Sequence, residues 1–393
     1  MDTTELRELL STDGLRLLDS LPAFDQTADV VRTVAELRKA GHSPALVAAV
    51  LSQSKLRSRA EAKFGPFAAS MLFTEAGLEQ ATRLRVAAMH AGRFRAAGLA
   101  RVVDLGCGIG ADALALAAID IEVTGVERDE VTAAIAAFNL APFPHATIEN
   151  ADATAVDLGG YDGVYLDPAR RSDARRLKDP ADWSPSLDFA FEIGGRLPSG
   201  VKLGPGIDRD LIPAGVEAQW VSVDRDVVEL GVWFGAVARP GIGRSALVIG
   251  EHGTAELTAP ADSEDAELGA LGEYLYEPDG AVIRARLIGD LARSLDARML
   301  SDQIAYLTAD TAVATPFAVC FRITETLPLD ERAIKKRLAQ LEVGTVEIKK
   351  RGVDIDPAAF RAKLALKGKG RNSATLFLTR VAGKRVALLA ERV

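Results

Sequence analysis

Cysteine and histidine are scarce in this chain: Cys107 and Cys320 stand far apart, and His42, His90, His145 and His252 are the only histidines among 393 residues. Two thiols far apart in sequence indicate neither a disulfide framework nor a thiolate zinc site, and the histidines lack ligand spacing, so no catalytic metal is expected. Long apolar runs are missing too. Nothing approaches the roughly 18 residues a membrane-crossing helix needs, and the opening MDTTELRELL lacks the basic and apolar regions of an export signal. A soluble, cytoplasmic protein without membrane attachment is expected.

What is present is globular composition, 48% hydrophobic and 26% charged, with a length that suggests two or three domains. The net charge of -8 argues against attraction to nucleic acid by the whole surface, but it is unevenly spread. Residues 331–393 hold 16 Lys/Arg against 6 Asp/Glu, a net +10 that leaves -18 for the first 330. Such a basic end is the electrostatic footprint of a phosphate-tracking module, or an ordinary solvated face.

Three regions follow from the patterning. Residues 1–97 carry apolar positions at helical spacing, such as Val30, Val31, Val34 and Leu37, and read as a helical N-terminal domain; Ser43-Pro44 has the form of a helix start, and one helix is expected over about 75–97. Residues 98–260 alternate strand and helix. Arg101-Val-Val-Asp-Leu105 is a short buried strand, 106–110 a glycine loop and 111–118 a helix. Strands over 121–126, 146–149 and 163–166 come next, then a hairpin at 218–223 and 227–234, so an α/β fold with a parallel, doubly wound, Rossmann-like sheet is expected. An acidic connection, 261–272, leads to a small mixed α/β module over 274–393, with one helix expected near 282–295.

Glycines 106, 108 and 110 let the backbone turn sharply and approach a ligand, while the following helix start offers unpaired N–H groups. Loops of this kind serve dinucleotides and S-adenosylmethionine alike, and Glu127, about 20 residues on, suits the ribose of either. Charge separates them. Asp104 and Asp112 would repel a pyrophosphate and favour the cationic sulfonium and ammonium of the methyl donor. Each residue also has a plainer reading: Asp112 complements a helix dipole, Asp104 caps a loop, Cys107 fills a small apolar space.

Asp104-Leu-Gly-Cys-Gly-Ile-Gly110, Glu127, Asp152 and Asp167-Pro-Ala-Arg-Arg171, all at strand ends and in this order, resemble the class I S-adenosylmethionine-dependent methyltransferases. That resemblance implies that Gly106, Gly108 and Gly110, with Asp104 and Asp112, hold the methionine portion, that Glu127 holds the ribose hydroxyls, and that Asp152 holds the adenine amino group. Lys63-Phe-Gly65, Phe73-Thr74, Leu78-Glu-Gln-Ala-Thr82, Tyr306-Leu-Thr308, Thr315-Pro316 and Lys349-Lys-Arg-Gly352 extend the resemblance to bacterial members that end in a THUMP-like domain, a module that binds RNA in other RNA-modifying proteins. Gln80 and Thr82 are candidates to reach the cofactor.

Methyl transfer from a sulfonium asks the protein mainly to align an attacking atom and handle its proton. Asp167, after the strand Val164-Tyr-Leu166, suits that task, and Pro168 fixes the turn behind it. The Asn/Asp-Pro-Pro-aromatic tetrad of amino-methyltransferases is departed from at Ala169 and Arg170, so a stacking ring is missing there; Trp183 is a candidate replacement. No cysteine stands near this motif, which argues against covalent C5-pyrimidine chemistry. Arg170 and Arg171 beside the reacting centre, and Lys349, Lys350 and Arg351 in the C-terminal module, are candidate contacts for a polyanion. The expected function is methylation of a nitrogen on an RNA base, in rRNA or tRNA. Its rivals are methylation of a protein or small molecule, NAD-linked redox chemistry, and RNA binding without catalysis.

Overall fold

The computed structural model describes residues 1–21, 30–168, 171–172, 175–176, 179, 182–251, 253–366 and 371–393, with 171–172 and 175–176 in backbone only. The chain divides into two compact units, Met1–Leu203 with Val232–Arg239, and Gly204–Gly231 with Pro240–Val393. Among the described residues no helix is long and apolar enough to cross a membrane, and no group of three or more metal-ligating side chains is found.

The first unit is built on five parallel strands: β1 (Arg101–Leu105), β2 (Glu122–Glu127), β3 (Ala146–Asn150), β4 (Gly163–Leu166) and the strand Ser199–Leu203. Their order is β3, β2, β1, β4, Ser199–Leu203, with parallel pairing throughout. The order reverses between β1 and β4, and the carboxyl ends on either side of that point form the crevice where such sheets take ligands. The helix Ala111–Ala117, ADALALA, is buried along its whole length; alanines at this density let it lie close against the sheet.

The N-terminal helices belong to this same unit. Leu6, Leu9, Val50, Leu56 and Phe64 share one apolar cluster with Ile109, Leu114 and Ile135 of the sheet region. Ser43 caps the helix Pro44–Phe64 through a 3.0 Å bond from the Leu46 amide to its Oγ, with Pro44 in the first turn, as the sequence suggests. Two buried amides fix the segment that follows. Gln53 exchanges hydrogen bonds with both backbone groups of Phe73, and Asn139 does the same with Leu72 while donating to the Ile109 carbonyl.

The single helix expected over 75–97 is two, Glu75–Gln80 and Leu84–Ala96. Ala81 and Arg83 are extended, and Thr82 between them turns inward to bond Asp112. A buried polar contact outweighs continuous helical periodicity here.

In the second unit Glu217–Val223 is followed by the strand residues 226–231 across a turn in which Asp224 and Arg225 have φ of 49° and 73°, the mirror-type geometry that suits a two-residue hairpin. The strands Arg244–Gly250 and Gly253–Ala259 form a further hairpin that the patterning did not suggest. The middle of Arg244–Gly250 is buried on both faces, so it shows no alternation. The helix expected over 282–295 is broken into Gly280–Arg284 and Ile288–Ser294 at Arg286, whose φ is 59°. A seven-stranded sheet ends the chain, with Val343–Lys350 parallel to Asn372–Val381 and the helices Glu331–Gln340 and Pro357–Leu364 packed over Ile348, Leu376 and Leu389.

Candidate functional site

A cleft of about 270 Å³ opens at the carboxyl ends of β1, β2 and β4. Its walls include Gly106, Gly108, Asp112, Glu127, Asp152 and Asp167, six of the residues singled out in the sequence, along with Gln80 and Thr82.

The three loop glycines have φ of 85°, 56° and 85°, the left-handed region that side chains disfavour, but they differ in surroundings. A Cβ on Gly110 would overlap Leu140 Cδ1 at 2.4 Å, so this glycine packs one helix against the next. A Cβ on Gly108 would meet nothing within 4 Å and would stand in the cleft. Cys107 is buried, and that burial pushes its thiol well above the ordinary range; its Sγ lies 2.9 Å from where a Cβ on Gly125 would stand, which fits the apolar-filler reading.

Glu127 ends β2 with both carboxylate oxygens aimed by backbone donors: the Gly108 amide gives 3.1 Å to Oε2 and the Asp129 amide 2.9 Å to Oε1. Asp152 is exposed, and hydrogen bonds from the Thr154 hydroxyl and amide hold its carboxyl below the ordinary value.

Asp104 is 1% exposed, and its oxygens have no hydrogen bond of good geometry among the described residues, although the nearby Ala113 amide weakly favours the charged form. Burial pushes its carboxyl well above the usual carboxylate range; Asp112 and Asp167 push the same way and Lys202 opposes them. Asp112, 7% exposed, is the contrary case. Burial alone would raise it, but the hydrogen bond and charge of His90, the charge of Lys202 and the bond from Thr82 together bring it below its ordinary value. Thr82 Oγ1 donates to Asp112 Oδ2 at 2.6 Å, and His90 Nδ1 lies 2.8 Å from Oδ1 and 3.0 Å from the Tyr165 hydroxyl. With Asp112 ionised the network assigns the proton to Nδ1.

Asp167 leaves β4 into the cleft, paired with Lys202. Lys202 also donates 2.9 Å to Thr82 Oγ1, so Asp167, Lys202, Thr82, Asp112 and His90 form one connected chain. Pro168 is buried behind Asp167. Lys63 lies beneath, its Nζ donating to the carbonyls of Leu78, Glu79 and Ala81 at 2.7–2.8 Å. Those are the open carbonyls at the end of the helix Glu75–Gln80, so Lys63 holds the Gln80–Thr82 wall in place.

Two contributors escaped the sequence reading, Lys202 and His90, while Lys63 figured there within the Lys63-Phe-Gly65 stretch without a role at the site. The available signals were a lysine inside the buried strand Ser199–Leu203 and a histidine on the apolar face of the helix Leu84–Ala96. Trp183 is buried and is not among the residues lining the cleft, so it offers no open stacking face there. Arg170, with Ala169, lies outside the described residues; Arg171 is described only as backbone, pairing antiparallel with Arg176.

The C-terminal candidates divide. Lys349 ion-pairs with Glu277 at 2.7 Å and lies 5.8 Å from the Phe321 ring, and the Arg351 guanidinium is 5.2 Å over Tyr306, so both are engaged within the second unit. Lys350 is exposed. The larger solvent-facing group is on the two helices, Arg332, Lys335, Lys336, Arg361 and Lys363, whose opposite faces bury Ile334, Leu338, Phe360 and Leu364.

Residues 318–392 match the family described as THUMP domain-like, and residues 2–60 match a domain of unknown function (DUF8688). Two proteins from strains of Mycobacterium tuberculosis, each named an uncharacterized S-adenosylmethionine-dependent methyltransferase, are 35% identical to this chain over 327 residues, covering 80% of it and 87% of each of them. The crystal structure of a candidate methyltransferase from Porphyromonas gingivalis W83 matches with a TM-score of 0.72 at 22% identity, over 100% of this chain and 99% of that one, a likeness of fold.

Proposed function

The chain belongs to the S-adenosylmethionine-dependent methyltransferases of the class I fold, with a THUMP-like domain at its C-terminal end, and from that premise we propose that it methylates a nitrogen on an RNA base of rRNA or tRNA. The observation that carries this reading is the position of Asp167, a carboxylate on the wall of the same cleft that the glycine loop and Glu127 line.

The donor set fits the methyl donor. Glu127 presents two acceptors in fixed orientation for a pair of ribose hydroxyls, Asp152 an acceptor for the adenine amino group, and Gly108 leaves room for a close backbone approach. Asp112, held ionised on the cleft wall, gives the methionine end a negative charge that suits an ammonium and a sulfonium and would repel a pyrophosphate, whereas Asp104, which the sequence paired with it, does not line the cleft and is pushed by burial toward its neutral form. When bound, S-adenosylmethionine supplies a methyl carbon already activated by a positive sulfur. The protein's remaining task is at the nucleophile. The Asp167 carboxylate accepts a hydrogen bond from the attacking amine, orients its lone pair and takes the proton it sheds. Pro168, with no N–H of its own, fixes the turn that presents Asp167.

Support for RNA comes from the THUMP-like match over residues 318–392 and from the exposed basic residues of the two C-terminal helices. The test is mass spectrometry of nucleosides from rRNA and tRNA of a strain lacking the gene and of its parent. Loss of one base N-methylated nucleoside, restored by the intact gene and not by Asp167→Ala, is expected. Identical nucleoside profiles, or loss of a ribose-methylated nucleoside instead, would overturn the proposal.

A further inference from the structure

We propose that Lys202 is a positioning residue for this transfer, setting the direction and charge of the Asp167 carboxylate and tying it through Thr82 to Asp112 on the cofactor side. The inference rests on the reading that Asp167 faces the substrate.

The strand register aims the two residues at each other. Leu166 of β4 pairs with Val201 of the neighbouring parallel strand, so the next residues in each chain, Asp167 and Lys202, emerge side by side on the same face. Lys202 Nζ meets Asp167 Oδ2, while its other hydrogens go to Thr82 Oγ1 at 2.9 Å and toward the Gln80 carbonyl at 3.5 Å. The Lys202 side chain is 11% exposed and that of Asp167 30%, so solvent screens this pair less than a surface pair. Both line the cleft, as does Thr82, whose hydroxyl accepts from Lys202 and donates to Asp112.

Purely structural anchoring would not need a lysine here. A charge on a short, largely buried strand is costly unless it answers others. Those it answers are specific: Asp167 from the end of β4, which it meets directly, and the ionised Asp112 on the helix Ala111–Ala117, with the buried Asp104 carboxyl of β1 as a further neighbour. The other charged groups facing this cluster among the described residues are His90 beside Asp112, and Lys63 with its neighbours Arg83 and Glu79. Lys63 spends its three donors on carbonyls, whereas Lys202 meets Asp167 Oδ2 directly. Holding that oxygen fixes the rotation of the carboxylate and favours its ionised form, the form that accepts a proton from the substrate.

The experiment compares Lys202→Met, which keeps length and loses charge, with Lys202→Arg, in the full chain, using RNA from a strain lacking the gene and radiolabelled methyl donor. Lys202→Met is expected to lower kcat by about 100-fold, the scale of a misplaced reacting group, with KM and the dissociation constant of S-adenosylhomocysteine changed less than about threefold. Its acid limb should move up by about one pH unit, because removing a neighbouring cation raises a carboxylate's pKa. Lys202→Arg should recover most of kcat. In an Asp167→Asn background, Lys202→Met should cost little more, since the group it positions is already altered. A readout independent of substrate is the carboxyl titration of Asp167 by carbon-13 NMR, its resonance assigned by Asp167→Asn, which Lys202→Met should shift upward. An unmoved Asp167 titration in a folded Lys202→Met chain, or equal losses in both backgrounds, would overturn the inference. Absence of methyl transfer by the unaltered chain, with the Asp167 titration still shifted, would instead count against the RNA reading alone.

Discussion

Removing the Glu127 carboxylate is the perturbation whose size follows most directly from the structure. Its oxygens are already oriented by the Gly108 and Asp129 amides, so they meet a ribose diol without a search for the right rotamer. A hydrogen bond to a charged group contributes about 1.5–3 kcal/mol. Glu127→Ala should therefore weaken S-adenosylhomocysteine binding by roughly 1.5–3 kcal/mol, about 12-fold to 160-fold in dissociation constant. The freed Gly108 amide lies at an open cleft where water can satisfy it, which keeps the loss mainly in binding. Glu127→Gln should fall between, because one end of its amide would turn N–H groups toward a backbone donor. Isothermal calorimetry on the three proteins, with circular dichroism to check folding, gives the answer. A folded Glu127→Ala that binds within about twofold of the unaltered chain would refute the assignment of Glu127 to the ribose.

The glycines should separate into two phenotypes. Gly110→Ala, with a left-handed φ and an overlap on Leu140, should lower the thermal midpoint, at a cost of about 2–5 kcal/mol; Gly108→Ala should cost about 1–2 kcal/mol, from its φ alone, yet weaken the cofactor product. Lys63 gives a pH signature. Burial, with Arg83 and Lys202 nearby, lowers its pKa to about 8 from an ordinary 10.5, so between those values the unfolded chain holds more protons and stability should rise with pH. Urea midpoints measured from pH 7 to 10 should show that rise in the unaltered chain and less of it in Lys63→Met. In the second unit, charge reversal at Lys335, Lys336, Arg361 and Lys363 should leave the fold intact and reduce RNA affinity in filter binding, with the log-log salt slope falling by roughly 0.7 per lost phosphate contact. Lys349→Glu should instead destabilise the fold, since it sets a carboxylate against Glu277.

The sheet was legible because β1, the glycine loop and the helix Ala111–Ala117 carry their signals locally: an apolar run, glycines forced by φ and by space, and alanines for close packing. Most of the cleft's acidic residues were legible for the same reason: Glu127, Asp152 and Asp167 stand at or just past strand ends, and Asp112 stands in the first turn of the helix after the glycine loop. Partnerships across the chain were not. Nothing in the spacing links His90 to Asp112 or Lys63 to the carbonyls of Leu78–Ala81, and the break at Thr82 is held by partners remote in sequence, Asp112, Lys202 and Lys63. The C-terminal charge shows the opposite limit. Counting basic residues found the right region, but the run Lys349, Lys350, Arg351 looked uniform in sequence, whereas strand alternation exposes Lys350 and turns Lys349 toward Glu277.

The most direct test of the cleft's chemistry is a calorimetric titration of the full chain with S-adenosylhomocysteine and with NAD under the same conditions. The account predicts that the methyl-donor product binds and that NAD binds far more weakly, because the ionised Asp112 on the cleft wall repels a pyrophosphate; NAD binding the more tightly of the two would contradict it.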